Sequence, residues 1–169
     1  MSGRGSRFLA LSALMCAVVF CATYFIKIPV GVMGGYINAG DAVICAAALL
    51  LGRGAVLPAA VGSALADLLG GAAVYAAPTF VIKGAMGYAA AIIQGRKLAE
   101  NGGKPSFARY LLSAGVAGLI MTAGYFLVEA LFFGLKYAVA GMPFNLVQWG
   151  GNVLISAALY RPLKGIPNV

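Results

Sequence analysis

The chain has 169 residues, of which 62% are hydrophobic and 9% are charged, and its mean hydropathy is +0.95. This composition excludes an ordinary soluble domain and predicts an integral membrane protein, with one compact bundle over residues 1–169. The formal net charge of +8 is interpreted as topology signals beside helix ends, so no nucleic-acid partner is expected. With no histidine and no GxxxxGK[ST] phosphate loop, the sequence predicts no enzyme, no metal site and no cofactor.

Apolar runs predict an all-α membrane protein with six transmembrane helices. In chain order they cover residues 7–26, 40–51, 55–72, 78–93, 107–133 and 145–160. The first run has a basic flank like a signal peptide, but it is long enough to span and is expected to be retained. The second and fourth are shorter than the about 20 residues that a bilayer core requires, so tilt or a thinned span is expected. Gly52-Arg53-Gly54 predicts a tight turn.

The distribution of basic residues predicts that both termini are cytoplasmic. With the N-terminus inside, the outer side carries only Lys27 and Lys136. The inner side carries the other loop and tail cations: Arg4, Arg7, Arg53, Arg96, Lys97, Lys104, Arg109, Arg161 and Lys164. An excess of Lys and Arg on one side marks the cytoplasmic face. A multi-pass protein of the bacterial cytoplasmic membrane is therefore expected.

The three predicted outer loops, residues 27–39, 70–77 and 134–144, mix glycine and aromatic residues, with proline in the first and third. Such mixtures are suited to ordered turns that cap a pocket. Their tyrosines are Tyr36, Tyr75 and Tyr137. These side chains would either face a ligand or form an interfacial aromatic belt.

Four ionisable residues fall at one depth near the predicted outer face: Asp41, Asp67, Lys83 and Glu129. A charged group within hydrocarbon costs a few kcal/mol or more, so it indicates a partner or a function. The inner two-thirds of the segments are read as nearly pure apolar sequence. This pattern favours a polar cavity that opens outward over a channel or a proton-driven carrier, which need polar groups deeper in the membrane.

The candidate ligand-binding residues supply charges, amides and aromatic faces for a small polar molecule. Asn145, Gln148 and Asn152 share one face of a predicted helix because they are three and four residues apart. The full set is Tyr36, Asn38, Asp67, Lys83, Tyr125, Glu129, Asn145, Gln148, Trp149 and Asn152.

Structural interpretations stand beside these functional ones. Asp67 and Lys83 could pair with each other across a short loop, and Asp41 could be a helix N-cap. Asn152 could join two helices by hydrogen bonds, and Trp149 could only anchor the membrane interface.

Small side chains recur every four residues in the first helix, at Ala13, Ala17 and Cys21. Inside the bundle this ridge would be ordinary packing. On the lipid face it would permit close docking of a partner helix.

The chain resembles the S component, the substrate-binding membrane subunit, of energy-coupling factor (ECF) vitamin transporters. The likeness covers nearly the whole chain and is carried by its size, its Ala13/Ala17 step and several motifs. These are Gly35–Asp41 (GYINAGD), Ala47–Gly52 (AALLLG), Gly62–Leu68 (GSALADL), Ile82–Gly84 (IKG) and Leu159–Leu163 (LYRPL). The branch it is most similar to is the riboflavin-transporter type, which includes pyridoxine and hydroxymethylpyrimidine transporters.

The resemblance implies tight binding of a vitamin or precursor from outside. It also implies association with a transmembrane coupling (T) subunit, which would dock on Ala13 and Ala17, and with two cytosolic ATPases. Ligand contacts would come from the first outer loop and segments 4 to 6: Tyr36, Asn38, Lys83, Glu129, Gln148 and Asn152. Few charges surround segment 6, which favours a pyridine or pyrimidine over riboflavin. Competing hypotheses are a riboflavin-specific S component, a stand-alone secondary carrier and a structural membrane protein.

Overall fold

A computed structural model describes residues 3–29, 36–95 and 104–166, and its side chains at 5–28, 37–95 and 104–166. These residues form six α-helical segments and one two-stranded antiparallel hairpin. The elements are α1 Gly3–Tyr24, β1 Lys27–Pro29, β2 Tyr36–Asn38, α2 Gly40–Leu51, α3 Val56–Leu69, α4 Ala73–Ile93, α5 Phe107–Phe133 and α6 Leu135–Lys164. The bounds of α2 and α5 match the predicted segments.

A 3₁₀ turn, Gly52–Ala55, joins α2 to α3 without a break in helical structure. If residues 40–69 are therefore taken as one helix, the described residues contain five helices and not six. The chain nevertheless reverses in this run. Asp41, at the start of α2, and Asp67, near the end of α3, both contact α4 within one helical turn. A straight helix would hold these residues about 39 Å apart at ~1.5 Å per residue. Gly52 makes the reversal with φ 58° and ψ −134°, a conformation that side chains disfavour.

Four helical stretches in the described residues are long and apolar enough to cross a membrane: Gly5–Tyr24, Gly40–Leu69, Ala73–Ile93 and Phe107–Phe133. This confirms an all-α membrane protein. α6 is 30 residues long but does not meet that standard, because polar side chains interrupt it. Since α2 and α3 have 12 and 14 residues, the number of separate crossings stays a prediction.

Two of the predicted outer loops are wrong. α4 begins at Ala73, five residues before the predicted start, and α6 begins at Leu135, ten residues before it. Both predicted starts lie at or just after a proline, Pro78 in α4 and Pro143 in α6, and each helix continues through that residue although proline disfavours a helix interior. Gly134, with φ 89°, makes the whole turn between α5 and α6. Tyr75 and Tyr137 therefore lie on helices.

The first loop begins and ends as a hairpin in which Lys27 pairs with Asn38 and Pro29 with Tyr36. This hairpin lies at the end of the bundle where α1, α3 and α5 end and α2, α4 and α6 begin, called here the hairpin end. α2 occupies the centre of the bundle, where all its residues except Val43 are buried. It packs against α1, α4, α5 and α6, so a polar group on α2 meets partners from several helices.

Candidate functional site

Asp41 in the first turn of α2 is the centre of a buried polar network. One carboxylate oxygen forms an ion pair with the Lys83 ammonium of α4. The other accepts a hydrogen bond from Gln148 Nε2 of α6 at 2.9 Å. Asp41 is 4% exposed and Lys83 is 2% exposed. Each buried charge therefore depends on the other, because an unpaired charge at this depth costs several kcal/mol.

These contacts bear on two of the structural interpretations. Asp41 is not the N-cap of α2, because that position is Ala39 and no side chain caps it. Asn38 Oδ1 instead accepts a hydrogen bond from the Gly40 amide at 2.9 Å. Lys83 forms an ion pair with Asp41, because the reversal at Gly52 brings the start of α2 beside Lys83.

Asn152 and Asn38 extend the network to the hairpin. Asn152 Oδ1 accepts a hydrogen bond from the Ala42 amide at 3.1 Å, and its Nδ2 donates to the Asn38 carbonyl at 2.9 Å. Asn38 Nδ2 lies 3.5 Å from Gln148 Oε1. α6 is thus bonded to both α2 and β2, as the helix-joining interpretation of Asn152 expects. We call Asn38, Asp41, Lys83, Gln148 and Asn152 the buried network.

A second chain of hydrogen bonds links α3, α4 and α5. Thr79 Oγ1 donates to Asp67 Oδ2 at 2.5 Å and lies 2.8 Å from the Tyr125 hydroxyl. Thr79 precedes Lys83 by four residues, so one face of α4 contacts both aspartates. The Lys83 ammonium lies 5.4 Å from the centroid of the Tyr125 ring, within the range of a cation–π interaction. Tyr125 therefore connects the two sets of contacts.

Glu129 and Asn145 have polar atoms that are buried without a hydrogen-bond partner among the described residues. These atoms are Oε2 of Glu129 and Nδ2 of Asn145. Oγ1 of Thr122, on the same helix as Glu129, is also buried without a partner among the described residues. Glu129 faces Gly141 of α6, where a methyl group would come 2.8 Å from Oε2. Buried polar atoms normally have a partner, so these atoms mark where a bound molecule or water would be expected to contact the protein.

Trp149 lies against the backbone of α5. A β-carbon on Gly118 would come 1.9 Å from the indole ring, so only glycine leaves room for the ring in this position. The indole lines a small cavity of about 10 Å³, close to the room that one water molecule needs. Asp41, Cys45, Asn152 and Ser156 complete its polar lining. Trp149 therefore faces the helix interface beside the buried network.

The three tyrosines assigned to outer loops have different surroundings. The Tyr36 side chain lies outside the described residues. The Tyr75 ring is 6.3 Å from that of Tyr125 and 5.9 Å from that of Phe133, and Phe133 is 4.9 Å from Tyr137. These four rings surround the α5 face that carries Glu129, which is four residues from both Tyr125 and Phe133.

The half of the bundle away from the hairpin is more polar than expected. Gln94 Nε2 donates to Ser113 Oγ at 2.9 Å and to the Cys45 carbonyl at 3.2 Å. Tyr160 donates to the Pro105 carbonyl at 2.7 Å. The expectation of a nearly pure apolar inner part is therefore wrong. The signal was in the sequence, because α6 carries buried polar residues at every fourth position: Gln148, Asn152, Ser156 and Tyr160.

Ala13, Ala17 and Cys21 are all exposed on α1. This small-residue ridge faces away from the bundle, although α1 packs extensively on α3. Of the two readings of the ridge, internal packing is thus wrong.

Sequence reasoning missed Thr79, Thr122 and the central role of Asp41. Thr79 had a usable signal, since it lies one turn from Lys83 on the same face of α4. Asp41 was one of the four ionisable residues at one depth, but its partners could not be identified from the sequence, because they come from α4 and α6, more than 40 residues away.

Comparisons with known proteins agree with this architecture. Residues 6–165 match the family described as ECF-type riboflavin transporter, S component. A protein of Pyrococcus woesei, described as an uncharacterized protein in a gap 3′ region, is 33% identical over 147 residues, which are 86% of this chain and 94% of that protein. The thiamine precursor transporter HmpT of Lactococcus lactis subsp. cremoris is 29% identical over 150 residues, 88% of this chain and 82% of HmpT.

A solved S component of a bacterial ECF transporter shares the fold. It superposes with a TM-score of 0.73 at 19% sequence identity, over 95% of this chain and 96% of that one. The family match covers nearly all the chain, and the described helices are those of a multi-pass membrane protein. The chain therefore belongs to the family of ECF-type riboflavin transporter S components, which are transport subunits for vitamin uptake and not enzymes.

Proposed function

We propose that this protein binds a small water-soluble vitamin or vitamin precursor at the hairpin end of its bundle and delivers it for ATP-dependent uptake. The substrate class we favour is a pyridoxine- or hydroxymethylpyrimidine-like ring. The observation that carries the proposal is the partly unsatisfied polar cluster between α5 and α6, where Glu129 and Asn145 hold unpaired buried atoms beside aromatic rings. The relation to the thiamine precursor transporter supports the choice of a small ring.

The site residues divide into two groups in this proposal. Asn38, Lys83, Gln148 and Asn152 form the frame, since they bond to Asp41, to one another or to the backbone. Asp67 supports the frame through Thr79. The residues that we propose contact the ligand are Tyr125, Glu129, Asn145 and Trp149 from the helices, and Tyr36, whose side chain lies outside the described residues, stays a prediction of the sequence.

The proposed orientation places both termini and the end opposite the hairpin in the cytoplasm of a bacterial cell, with six membrane crossings. It follows from the excess of basic residues at that end. In this orientation the polar cluster faces the outside, where a scarce nutrient is captured.

Transport energy would come from partner subunits. A transmembrane T subunit and two cytosolic ATPases would complete the transporter, with the exposed ridge of Ala13 and Ala17 as the docking face. Small side chains permit the close helix contact that such docking requires in a membrane.

Binding can be measured directly, because Trp149 is the only tryptophan in the chain. Its fluorescence in purified protein therefore comes from one position, in the helix interface beside the buried network. Titration with hydroxymethylpyrimidine, pyridoxine and riboflavin should change the emission for one of them, with a dissociation constant below about 1 μM. Mass spectrometry of small molecules released on denaturation should identify the same compound. If no vitamin is released and none changes the emission, the proposed function is wrong.

The family description favours riboflavin as the second candidate. In the titration it would be the one ligand that saturates at low concentration. A stand-alone secondary carrier makes a different prediction, since it would transport in proteoliposomes without any ATPase.

A further inference from the structure

We infer that the α5 face around Glu129 selects a ligand that carries an amine or other cationic nitrogen on an aromatic ring, and that it discriminates against phosphorylated forms. This inference rests on the proposed function and specifies its substrate class. The Glu129 cluster is defined as Glu129 with the rings of Tyr75, Tyr125, Phe133 and Tyr137.

The charges at the hairpin end disfavour an anionic ligand. Asp41, Asp67, Lys83 and Glu129 comprise three acids and one base, and the base is already paired with Asp41. Lys83 is therefore not free to bind an anionic ligand. The other lysines nearby lie at the rim: Lys27 on β1 is half-exposed and Lys136 in the first turn of α6 is exposed. Among the described residues, a phosphate near Glu129 would meet a carboxylate, and the buried ammonium closest to it in the network, Lys83, is already paired.

Two buried polar atoms without a hydrogen-bond partner indicate which groups the ligand would present. Glu129 Oε2 is buried and accepts no hydrogen bond among the described residues, while Asn145 Nδ2 is buried and donates none. Asn145 lies one turn beyond Gly141, the residue that Glu129 contacts, so both atoms lie along the same α5–α6 interface. A ligand satisfies both atoms if it presents a donor to the carboxylate and an acceptor to the amide.

The aromatic rings around Glu129 favour a ligand with a flat ring and a nitrogen cation or amine. The Tyr75 ring contacts those of Tyr125 and Phe133, and Phe133 contacts Tyr137, on both sides of Glu129 along α5. Aromatic faces attract cations, and the pairing of the Tyr125 ring with the Lys83 ammonium shows this attraction within the same cluster. A carboxylate among such rings is suited to a nitrogen cation or amine donor on a flat ring.

The test uses two matched ligand sets and the Trp149 emission. One set is pyridoxamine, pyridoxine and pyridoxamine 5′-phosphate. The other is hydroxymethylpyrimidine, its analogue with a hydroxyl in place of the amine, and its phosphate ester. In the set that binds, the amine should bind at least about tenfold tighter than the hydroxyl analogue, and the phosphate ester should be weakest.

Variants at two positions distinguish the contribution of the carboxylate from that of the aromatic rings. Glu129→Gln keeps the shape and should reduce the amine preference to about threefold or less, while Glu129→Asp should restore part of it. Tyr75→Leu should weaken binding of the amine more than that of the hydroxyl analogue, whereas Tyr75→Phe should leave the preference intact. Thermal unfolding of each variant confirms that the protein is folded.

The outcomes distinguish this inference from the proposed function. If riboflavin or a hydroxyl ligand binds tightly and no amine is preferred, the function stands and the selectivity for amines is wrong. A phosphate ester that binds as well as its parent compound would also overturn the inference. If none of these ligands binds, both proposals are wrong.

Discussion

At the residue scale, the Asp41–Lys83 pair is expected to be costly to disturb. Both side chains are almost fully buried, and the carboxylate also receives the Gln148 amide. Removal of one partner leaves the other charge without compensation, whereas removal of both leaves neutral groups that pack with less penalty. The pair is therefore expected to act as a structural staple between α2 and α4.

We predict that Lys83→Met lowers the free energy of unfolding by about 3–5 kcal/mol, because it leaves the buried Asp41 carboxylate without a positively charged partner. The double variant Asp41→Asn/Lys83→Met should recover more than half of that loss. Reversible denaturation in detergent, followed by circular dichroism, measures both. A double variant that is less stable than Lys83→Met alone would contradict the staple role.

Gly118 is predicted to control the position of Trp149. In Gly118→Ala the new methyl group overlaps the indole, so the ring must move. We expect a shift in Trp149 emission and destabilisation of about 1–3 kcal/mol, as for other overpacked sites. Gly115→Ala on the same helix is the matched control, because nothing lies within 4 Å of its added methyl group. Identical emission in the two variants would show that the ring is not held there.

At the element scale, the helix positions show which sequence signals were sufficient. α2 and α5 were predicted with their observed bounds, because apolar runs between turn residues determine where a membrane helix begins and ends. α4 and α6 were predicted too short, because proline was read as a boundary. Pro78 and Pro143 instead lie inside their helices, which run continuously around them.

The α2–α3 reversal is predicted to depend on Gly52. Its φ of 58° with ψ −134° is open to glycine and costly for other residues. Gly52→Ala should reduce the free energy of unfolding by about 1–3 kcal/mol. Gly150→Ala, where nothing lies within 4 Å, should change it by less than about 1 kcal/mol. Equal effects in thermal unfolding would rule out a strained turn.

At the scale of the whole molecule, the two proposed surfaces lie in different parts of the bundle. The ligand site lies between α5 and α6 at the hairpin end, while the Ala13/Ala17 ridge lies on the exposed face of α1. Binding and energy coupling should therefore be separable by mutation.

We predict that Ala13→Trp and Ala17→Trp abolish ATP-dependent uptake, because a bulky ring prevents close contact with the T subunit. Ligand affinity, measured by calorimetry, should remain within about twofold of the parent protein. Val81→Trp is the control, since Val81 is 68% exposed on α4, away from the ridge. Normal uptake by the α1 variants in cells, at matched expression, would refute the docking face.

The sequence by itself determined the membrane class, most helix positions and the family. These depend on composition, on the lengths of apolar runs and on motifs that are local in the chain. It also identified Lys83, Gln148 and Asn152 as polar groups near one level, because depth follows from the helix rise alone.

Only the tertiary structure decided which of these groups pair with one another. Lys83 pairs with Asp41, and one Glu129 oxygen has no hydrogen-bond partner among the described residues, because the rotation and tilt of each helix select its neighbours. Sequence periodicity gives the face of a helix but not the helix that this face meets. The separation of frame residues from ligand-facing residues therefore became visible only when α2, α4, α5 and α6 were packed together.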